Sequence, residues 1–259
     1  MRFSVIVVSL NAGEELKKTV ESVLAQKYAD FEIVVKDGGS TDGSTDLLPA
    51  DARIRLIVKK DRSIYDAMNQ AVQEAKGEYF LFLNCGDYLY QETVLGSVAK
   101  AAAKEPADIY YGDLYRRQQD SVDAAPERIT DFVCYRNVPC HQVCFYARHL
   151  FAKRAYDLQY PVRADYEHFL WCVYRAEARC RSLRITVADY QGSGFSETPE
   201  HLRQAALEHK KITKEYLGGK CLWYQALMWL TLQPLRAKLA QSRRFSGYYH
   251  SLKRALYRN

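Results

Sequence analysis

Apolar residues come in short runs along the first ninety positions, and between the runs they recur at helical spacing. Phe3–Leu10 is a nearly continuous apolar run, as a strand covered on both faces requires. Leu16, Val20, Val23 and Leu24 then share one helical face. Asn11 is placed to cap that helix, and Glu14 and Glu15 suit its positive N-terminal end. Phe31, Ile33, Val34 and Val35 form a second apolar run, closed at once by Lys36-Asp37-Gly38-Gly39-Ser40-Thr41-Asp42-Gly43. An apolar run bounded by turn residues predicts a buried strand, with Asp37 at its carboxyl end. Ile54–Val58 predicts a third strand and Tyr79–Leu83 a fourth; between them Ile64, Met68, Ala71, Val72 and Ala75 mark an amphipathic helix that Gly77 stops. The fourth strand ends in Asn84-Cys85-Gly86-Asp87. This β-α-β-α order predicts a mostly parallel, doubly wound α/β sheet flanked by helices. Ligands of such sheets bind outside the carboxyl ends of the strands, where Asp37 and Asp87 fall.

The pattern changes afterwards. Thr93–Ala103 predicts a helix, Ala107–Leu114 a strand, and polar Arg116–Arg128 a surface excursion. Phe169, Leu170 and Val173 suit a buried helix face, with Asp165 and Glu167 near its start. Leu183–Ala188 predicts a strand and 191–196 a flexible turn. Thr198-Pro199-Glu200 opens a helix over Leu202–Tyr216 that Gly218-Gly219 ends.

Composition narrows the choice. The 259 residues are ordinarily globular, and a net charge of +6 is mild. Seven cysteines, an odd number without an export signal, predict reduced thiols in a cytosol-facing protein. Cys140, His141 and Cys144 lie close together, but their spacing is not a zinc pattern and no second pair completes it. The turn after the first strand, Ser9-Leu10-Asn11-Ala12-Gly13, lacks the glycine fingerprint of a dinucleotide site, and there is no P-loop. Charge placement matters more than its sum. Cys221–Leu232 is apolar and aromatic but too short to span a bilayer. Gln233–Asn259 carries seven Lys and Arg residues and no acid. The pair fits an in-plane anchor on anionic lipid, against the alternative of a C-terminal helix packed on the body or on a second copy. No nucleic-acid recognition motif accompanies the charge.

Three blocks in order carry a resemblance: VSLNAGEELKKTVESVLAQKYADFEIVVKDGGSTDGS, then DRSIYDAMNQA (Asp61–Ala71), then LNCGDYL (Leu83–Leu89). Together they resemble family 2 glycosyltransferases of the GT-A fold, in the branch that builds bacterial lipopolysaccharide, capsule or exopolysaccharide. The resemblance runs over about residues 1–215 and implies a GT-A domain over 1–219. Its nucleotide-sugar half would be about 1–115 and its acceptor half about 116–219, with 220–259 a C-terminal helical tail. It implies an inverting transfer from a nucleotide-sugar donor, a UDP-sugar, to a glycan or lipid-linked glycan. The enzyme would sit at the inner face of the bacterial inner membrane.

The same resemblance implies roles for single residues. Ser9, Asn11, Asp37, Asp66, Asn69, Asn84 and Asp87 would bind the donor, with Asp37 on the uracil. Asp87 would hold Mn²⁺ or Mg²⁺, since hard cations prefer carboxylate oxygen. Many relatives have Asp-x-Asp there, and this chain keeps only the last carboxylate. Ser63 stands where relatives usually have Gly. His141 is a further candidate metal ligand, in a His-Gln block with Gln142 on the acceptor side. Asp165 would be the catalytic base, with Glu167 as the alternative. Two other readings compete. A sugar nucleotidyltransferase would need a glycine-rich basic first loop, which Asn11-Ala12-Gly13-Glu14-Glu15 does not supply. A degenerate glycan- or partner-binding module is favoured only by the single carboxylate at Asp87.

Overall fold

The computed structural model describes residues 2–192 and 198–230. The chain runs β1 (Phe3–Ser9), α1 (Glu14–Leu24), β2 (Phe31–Asp37), β3 (Ile54–Val58), α2 (Ile64–Glu74) and β4 (Tyr79–Asn84). There follow β5 (Tyr88–Leu89), α3 (Val94–Lys104), β6 (Ile109–Arg116), β7 (Ser121–Asp123), α4 (Asp131–Arg136), β8 (Cys144–Ala147) and α5 (Arg148–Lys153). The described part closes with α6 (Ala164–Tyr174), β9 (Cys180–Tyr190), α7 (Pro199–Leu217) and α8 (Lys220–Leu230).

The strands form one sheet in the order β3-β2-β1-β4-β8-β6-β9-β5, with β7 paired to β6. The four strands β3, β2, β1 and β4 are parallel; β8 runs antiparallel to both β4 and β6. Every residue of β1 and β2 is buried, which explains why both read as apolar runs without alternation. The helix α2 packs on β1 and β2, and α1 on β1 and β5. Leu16, Val20 and Val23 of α1 and Met68, Ala71 and Val72 of α2 are the buried faces their spacing predicts. The chain leaves β1 for β2 and β3 on one side, then returns to β4 on the other. A crevice therefore opens beyond the carboxyl ends of β1 and β4. The register brings Ser9 opposite Asp37 and Val8 opposite Asn84, so the polar ends of three strands share one edge.

Several local expectations give way to tertiary contacts. The first strand stops at Ser9, and Leu10 is 61 % exposed. Asn11 does not cap α1: its Oδ1 accepts from Thr41 N at 2.9 Å, and Gly13 occupies the cap position. Gly77 is needed for closeness, since a Cβ there would lie 2.5 Å from Ser4 N. Ser63 caps α2, its Oγ accepting from Asp66 N at 3.2 Å. The surface excursion after Arg116 contains β7, hydrogen-bonded back onto β6. Of the turn expected over 191–196, positions 193–196 lie outside the described residues, as does the basic tail Gln233–Asn259.

Candidate active site

The loop after β2 is built by its own acid. Asp37 Oδ2 accepts from Gly39 N at 2.9 Å and Ser40 N at 2.7 Å, while Oδ1 accepts from Ser40 Oγ at 2.5 Å. Ser40 Oγ in turn accepts from Asn11 N at 2.8 Å. Asp37 and Asn11 thus clamp the β1 and β2 loops together along the crevice. Beside them Lys36 is fully buried, its Nζ donating to Asp61 Oδ2 at 2.8 Å and to the carbonyls of Asp37 and Lys59. That cation is neutralised on the spot, as its burial demands.

The centre of the site is a single turn, His141–Val143, between α4 and β8. Its two polar side chains reach two acids far apart in sequence. Gln142 Nε2 donates to Asp87 Oδ2 at 3.2 Å, and the Gln191 backbone N–H donates to Asp87 Oδ1 at 3.1 Å. His141 Nδ1 lies 2.9 Å from Asp165 Oδ2. Asp165 Oδ1 receives the Tyr65 hydroxyl at 2.8 Å and the Tyr166 N–H at 2.8 Å, with the Val162 carbonyl a second acceptor for Tyr65 at 2.9 Å. Burial works to raise the Asp165 pKa. The His141 hydrogen bond and charge, the Tyr65 hydroxyl and the Tyr166 N–H outweigh it and hold the carboxyl below its ordinary value. Asp87 behaves oppositely. It is 3 % exposed, and burial pushes it up to about 6 against the opposing bonds from Gln191 and Gln142. Gly86, at φ 94°, makes the sharp turn before it. Arg117 stacks over the Tyr88 ring at 4.4 Å and donates to Asp189, which places a cation near this turn.

A cavity of about 280 Å³ opens in front of this turn, with Tyr65, Asn84, His141, Gln142 and Asp165 on its polar side. Arg116, Asn137, Arg163 and Tyr190 also line it, and none of these was singled out in the sequence. Tyr65 was legible only as a member of the Asp61–Ala71 block; its reach to an acid 100 residues away was not.

Three expected site residues are used elsewhere. Asn69 spends both ends of its amide on the Tyr156 backbone, at 2.9 Å each, fixing α2 to the segment before α6. Asp66 accepts from Arg62 N at 2.9 Å and pairs with the Arg62 guanidinium, which holds its carboxyl below the ordinary value. Glu167 lies two residues from Asp165, about 200° around the helix. It is 1 % exposed and binds Arg154 and Tyr216 between α6 and α7. It therefore does not share the cavity with Asp165.

Among the described residues no group of three or more His, Cys, Asp and Glu is placed to hold a metal ion. A cation bridging a diphosphate needs only one or two protein oxygens, because phosphates and water supply the rest. Two are available. Among the described residues the buried Asp87 carboxylate has no directly bound cation, and buried Asn84 Oδ1 has no partner. The chemistry of this donor set fits a divalent cation. His141 Nε2 lies 3.5 Å from Asn84 Nδ2 on the same side.

A parallel sheet continued by antiparallel strands, with a crevice at its switch point, is the arrangement of the GT-A fold. The chain belongs to glycosyl transferase family 2, whose family profile matches residues 4–175. A PGL/p-HBAD biosynthesis glycosyltransferase of Mycobacterium bovis is 35 % identical over 204 residues, covering 76 % of this chain and 79 % of that one. An uncharacterised glycosyltransferase of Mycobacterium tuberculosis is 29 % identical over 252 residues, 87 % of this chain and 94 % of that one. Among solved structures, residues 1–349 of S. aureus TarS in complex with UDP align with a TM-score of 0.63 at 20 % identity. That match covers 84 % of this chain and 71 % of that one. The mannosyltransferase PcManGT from Pyrobaculum calidifontis, in complex with GDP-Man and Mn²⁺, aligns at 0.62 and 14 % identity, over 96 % of this chain and 83 % of that one. These structural matches establish the shared fold.

Proposed function

We propose that this glycosyltransferase moves a sugar from a UDP-sugar to a hydroxyl of a bacterial surface glycan or glycolipid, with inversion at the anomeric carbon. The observation that carries the reading is the His141–Gln142 turn, which joins an acid at the strand-end crevice to an acid in the adjoining cavity. The PGL/p-HBAD name of one relative and the UDP complex of one structural neighbour support the acceptor class and the donor nucleotide.

In this reading Asp165 is the base. Its Oδ1 already accepts two bonds, whereas among the described residues Oδ2 accepts only that of His141, which leaves room there for an acceptor O–H. The acceptor oxygen attacks the anomeric carbon as the bond to the diphosphate breaks, and its proton passes to Asp165 Oδ2. The depressed pKa keeps Asp165 ionised and ready at neutral pH. Tyr65, whose own pKa is raised well above the ordinary value by burial and by Asp165, stays a donor. Asp87 and Asn84 would hold Mn²⁺ or Mg²⁺, which when bound would stabilise negative charge on the leaving diphosphate. Ser9, Asn11 and Asp37 would frame the base and ribose.

The enzyme would work at the inner membrane face. Among the described residues no helix is long and apolar enough to cross a membrane. On α8, however, Leu222, Trp223 and Trp229 are 73 %, 69 % and 75 % exposed, and an apolar, Trp-bearing face suits the lipid interface.

Calorimetric titration with UDP and GDP, with and without Mn²⁺, tests the donor site. Metal-strengthened UDP binding is expected, and its absence in folded protein overturns the reading. Asp165→Asn should lower transfer by about 10²–10⁴ while leaving UDP affinity unchanged. Retained turnover removes Asp165 as the base.

A further inference from the structure

Two arginines and one acid line the catalytic cavity: Arg116, Arg163 and Asp165. Their partners set them apart. Arg116 is matched by Asp123 at 2.5 Å. Asp165 is occupied by His141, Tyr65 and the Tyr166 N–H. Arg163 has no such match, for among the described residues no carboxylate forms an ion pair with its guanidinium. Its Nη1 donates to Asn137 Oδ1, a neutral acceptor, at 3.1 Å, and the guanidinium lies over the Tyr166 ring at 5.7 Å. Glu208 of α7 touches this residue but serves the main chain. Its Oε2 accepts from Arg163 N at 2.7 Å and from Val162 N at 3.2 Å, while Oε1 accepts from Gln204 Nε2 at 2.7 Å. The backbone of Arg163 is thereby pinned, and among the described residues Nε and Nη2 have no protein acceptor. Arg163 is half-buried, and a cation drawn out of water is ordinarily matched by an acid. Elsewhere in this chain that holds: buried Lys36 has Asp61, and half-buried Arg154 has Glu167 and Asp157.

We infer that Arg163 is a specificity-determining residue that binds an anionic group of the acceptor, a carboxylate or a phosphate ester, while the acceptor hydroxyl meets Asp165. The inference rests on the transferase reading above and names the class of its acceptor. Nε and Nη2 share one edge of the guanidinium plane and offer a two-pronged fork, which fits two oxygens of one anion. A neutral sugar hydroxyl could accept from the same fork but would leave the charge unbalanced. Arg163 stands two residues before Asp165, at the N-cap position of α6, so one acceptor in this cavity can reach both.

The test compares three probes on one sugar frame: methyl β-glucoside, methyl β-glucuronide, which carries a carboxylate, and methyl β-glucoside 6-phosphate. Each is titrated into the full chain by calorimetry and ligand-observed NMR at about 0.15 M salt, with and without saturating UDP. A hydrogen bond to a charged group is worth roughly ten- to hundredfold, so at least one anionic probe should bind about tenfold or more tighter than the neutral glucoside. Arg163→Met and Arg163→Gln, which keep the main-chain bond to Glu208, should abolish that preference and leave UDP affinity unchanged. Lys100→Gln, which removes one charge from the exposed surface of α3, should leave the preference intact. Preference for the glucuronide assigns a sugar carboxylate and preference for the phosphate a phosphate ester; both uphold the inference. Equal affinities for the three probes, or none measurable, overturn it, as does a preference that survives both Arg163 variants. A preference lost in Lys100→Gln as well is attraction to the net charge of +6 and also overturns it. So does a preference that vanishes when UDP is bound, or a UDP affinity that falls in the Arg163 variants, since either would place Arg163 on the donor diphosphate. The nucleotide titration separates the two levels: UDP binding with equal probe affinities leaves the transferase reading standing and removes only the anionic acceptor group.

Discussion

Replacing Asp87 by Asn should make the protein more stable at neutral pH while impairing its chemistry. The carboxyl is 3 % exposed, and its pKa rises from 3.8 to about 6 because burial penalises the charged form. A carboxyl raised on folding favours the folded state fully only below its unfolded value, and that contribution is lost as pH rises through the folded value. A rise of this size corresponds to about 3 kcal/mol of ionisation cost above roughly pH 7, and about half of that near pH 5. Asn has no charge to bury. Its Oδ1 can accept the Gln191 N–H, and a turned Gln142 amide can accept from its Nδ2. The measurement is urea unfolding of both proteins between about pH 4 and pH 8, without metal. The difference should be small at the acid end and grow to about 3 kcal/mol, roughly 1 M in midpoint for a slope near 3 kcal/mol per M. Parallel pH profiles, or a variant that is less stable at neutral pH, would refute the argument. Mn²⁺ should stabilise the wild type and not the variant, since only a ligand that binds the folded state raises its stability. A site that gives up stability for chemistry behaves in this way.

Three further outcomes follow from the geometry. Tyr65→Phe removes one donor from Asp165, so its pKa rises and the base form is lost at higher pH; the acid limb of the rate profile should move up by about one pH unit. An unmoved limb would mean that Tyr65 does not tune the base. Glu167→Gln weakens the buried link to Arg154 and Tyr216 and should cost about 1–3 kcal/mol in unfolding experiments, with kcat unchanged at a temperature where the variant is folded. A lost kcat with intact stability would return Glu167 to the reaction. Removing residues 220–259 should weaken sedimentation with vesicles containing anionic lipid, and unchanged sedimentation would exclude the tail as an anchor.

The parallel core was legible because β1, β2 and β4 are buried on both faces, so their sequences carry apolar runs broken only by Ser4 and Glu32 before their polar ends. β7, α4 and α5 were not, since three to six residues hold no period to read and are fixed by what they pack on. At the site, helical spacing correctly placed Asp66 and Asn69 on one polar face. It could not say that the segment around Tyr156 would cover that face and use the Asn69 amide. The resemblance put Asp165 ahead of Glu167 as the base, but what Glu167 does instead, binding Arg154 and Tyr216 where α6 packs on α7, was not readable from sequence. The link from His141 to Asp165 crosses 24 positions and that from Gln142 to Asp87 crosses 55. No local pattern encodes either.

That His141–Gln142 turn has a mechanical consequence. Adjacent residues of one short turn cannot be displaced independently, so the two acids they hold move as if on a common lever. Swinging the turn to admit a bulkier acceptor would drag on the Asp87 bond as well as on Asp165. Widening the acceptor range of this enzyme by substitutions that move the turn should therefore shift donor affinity in the same step.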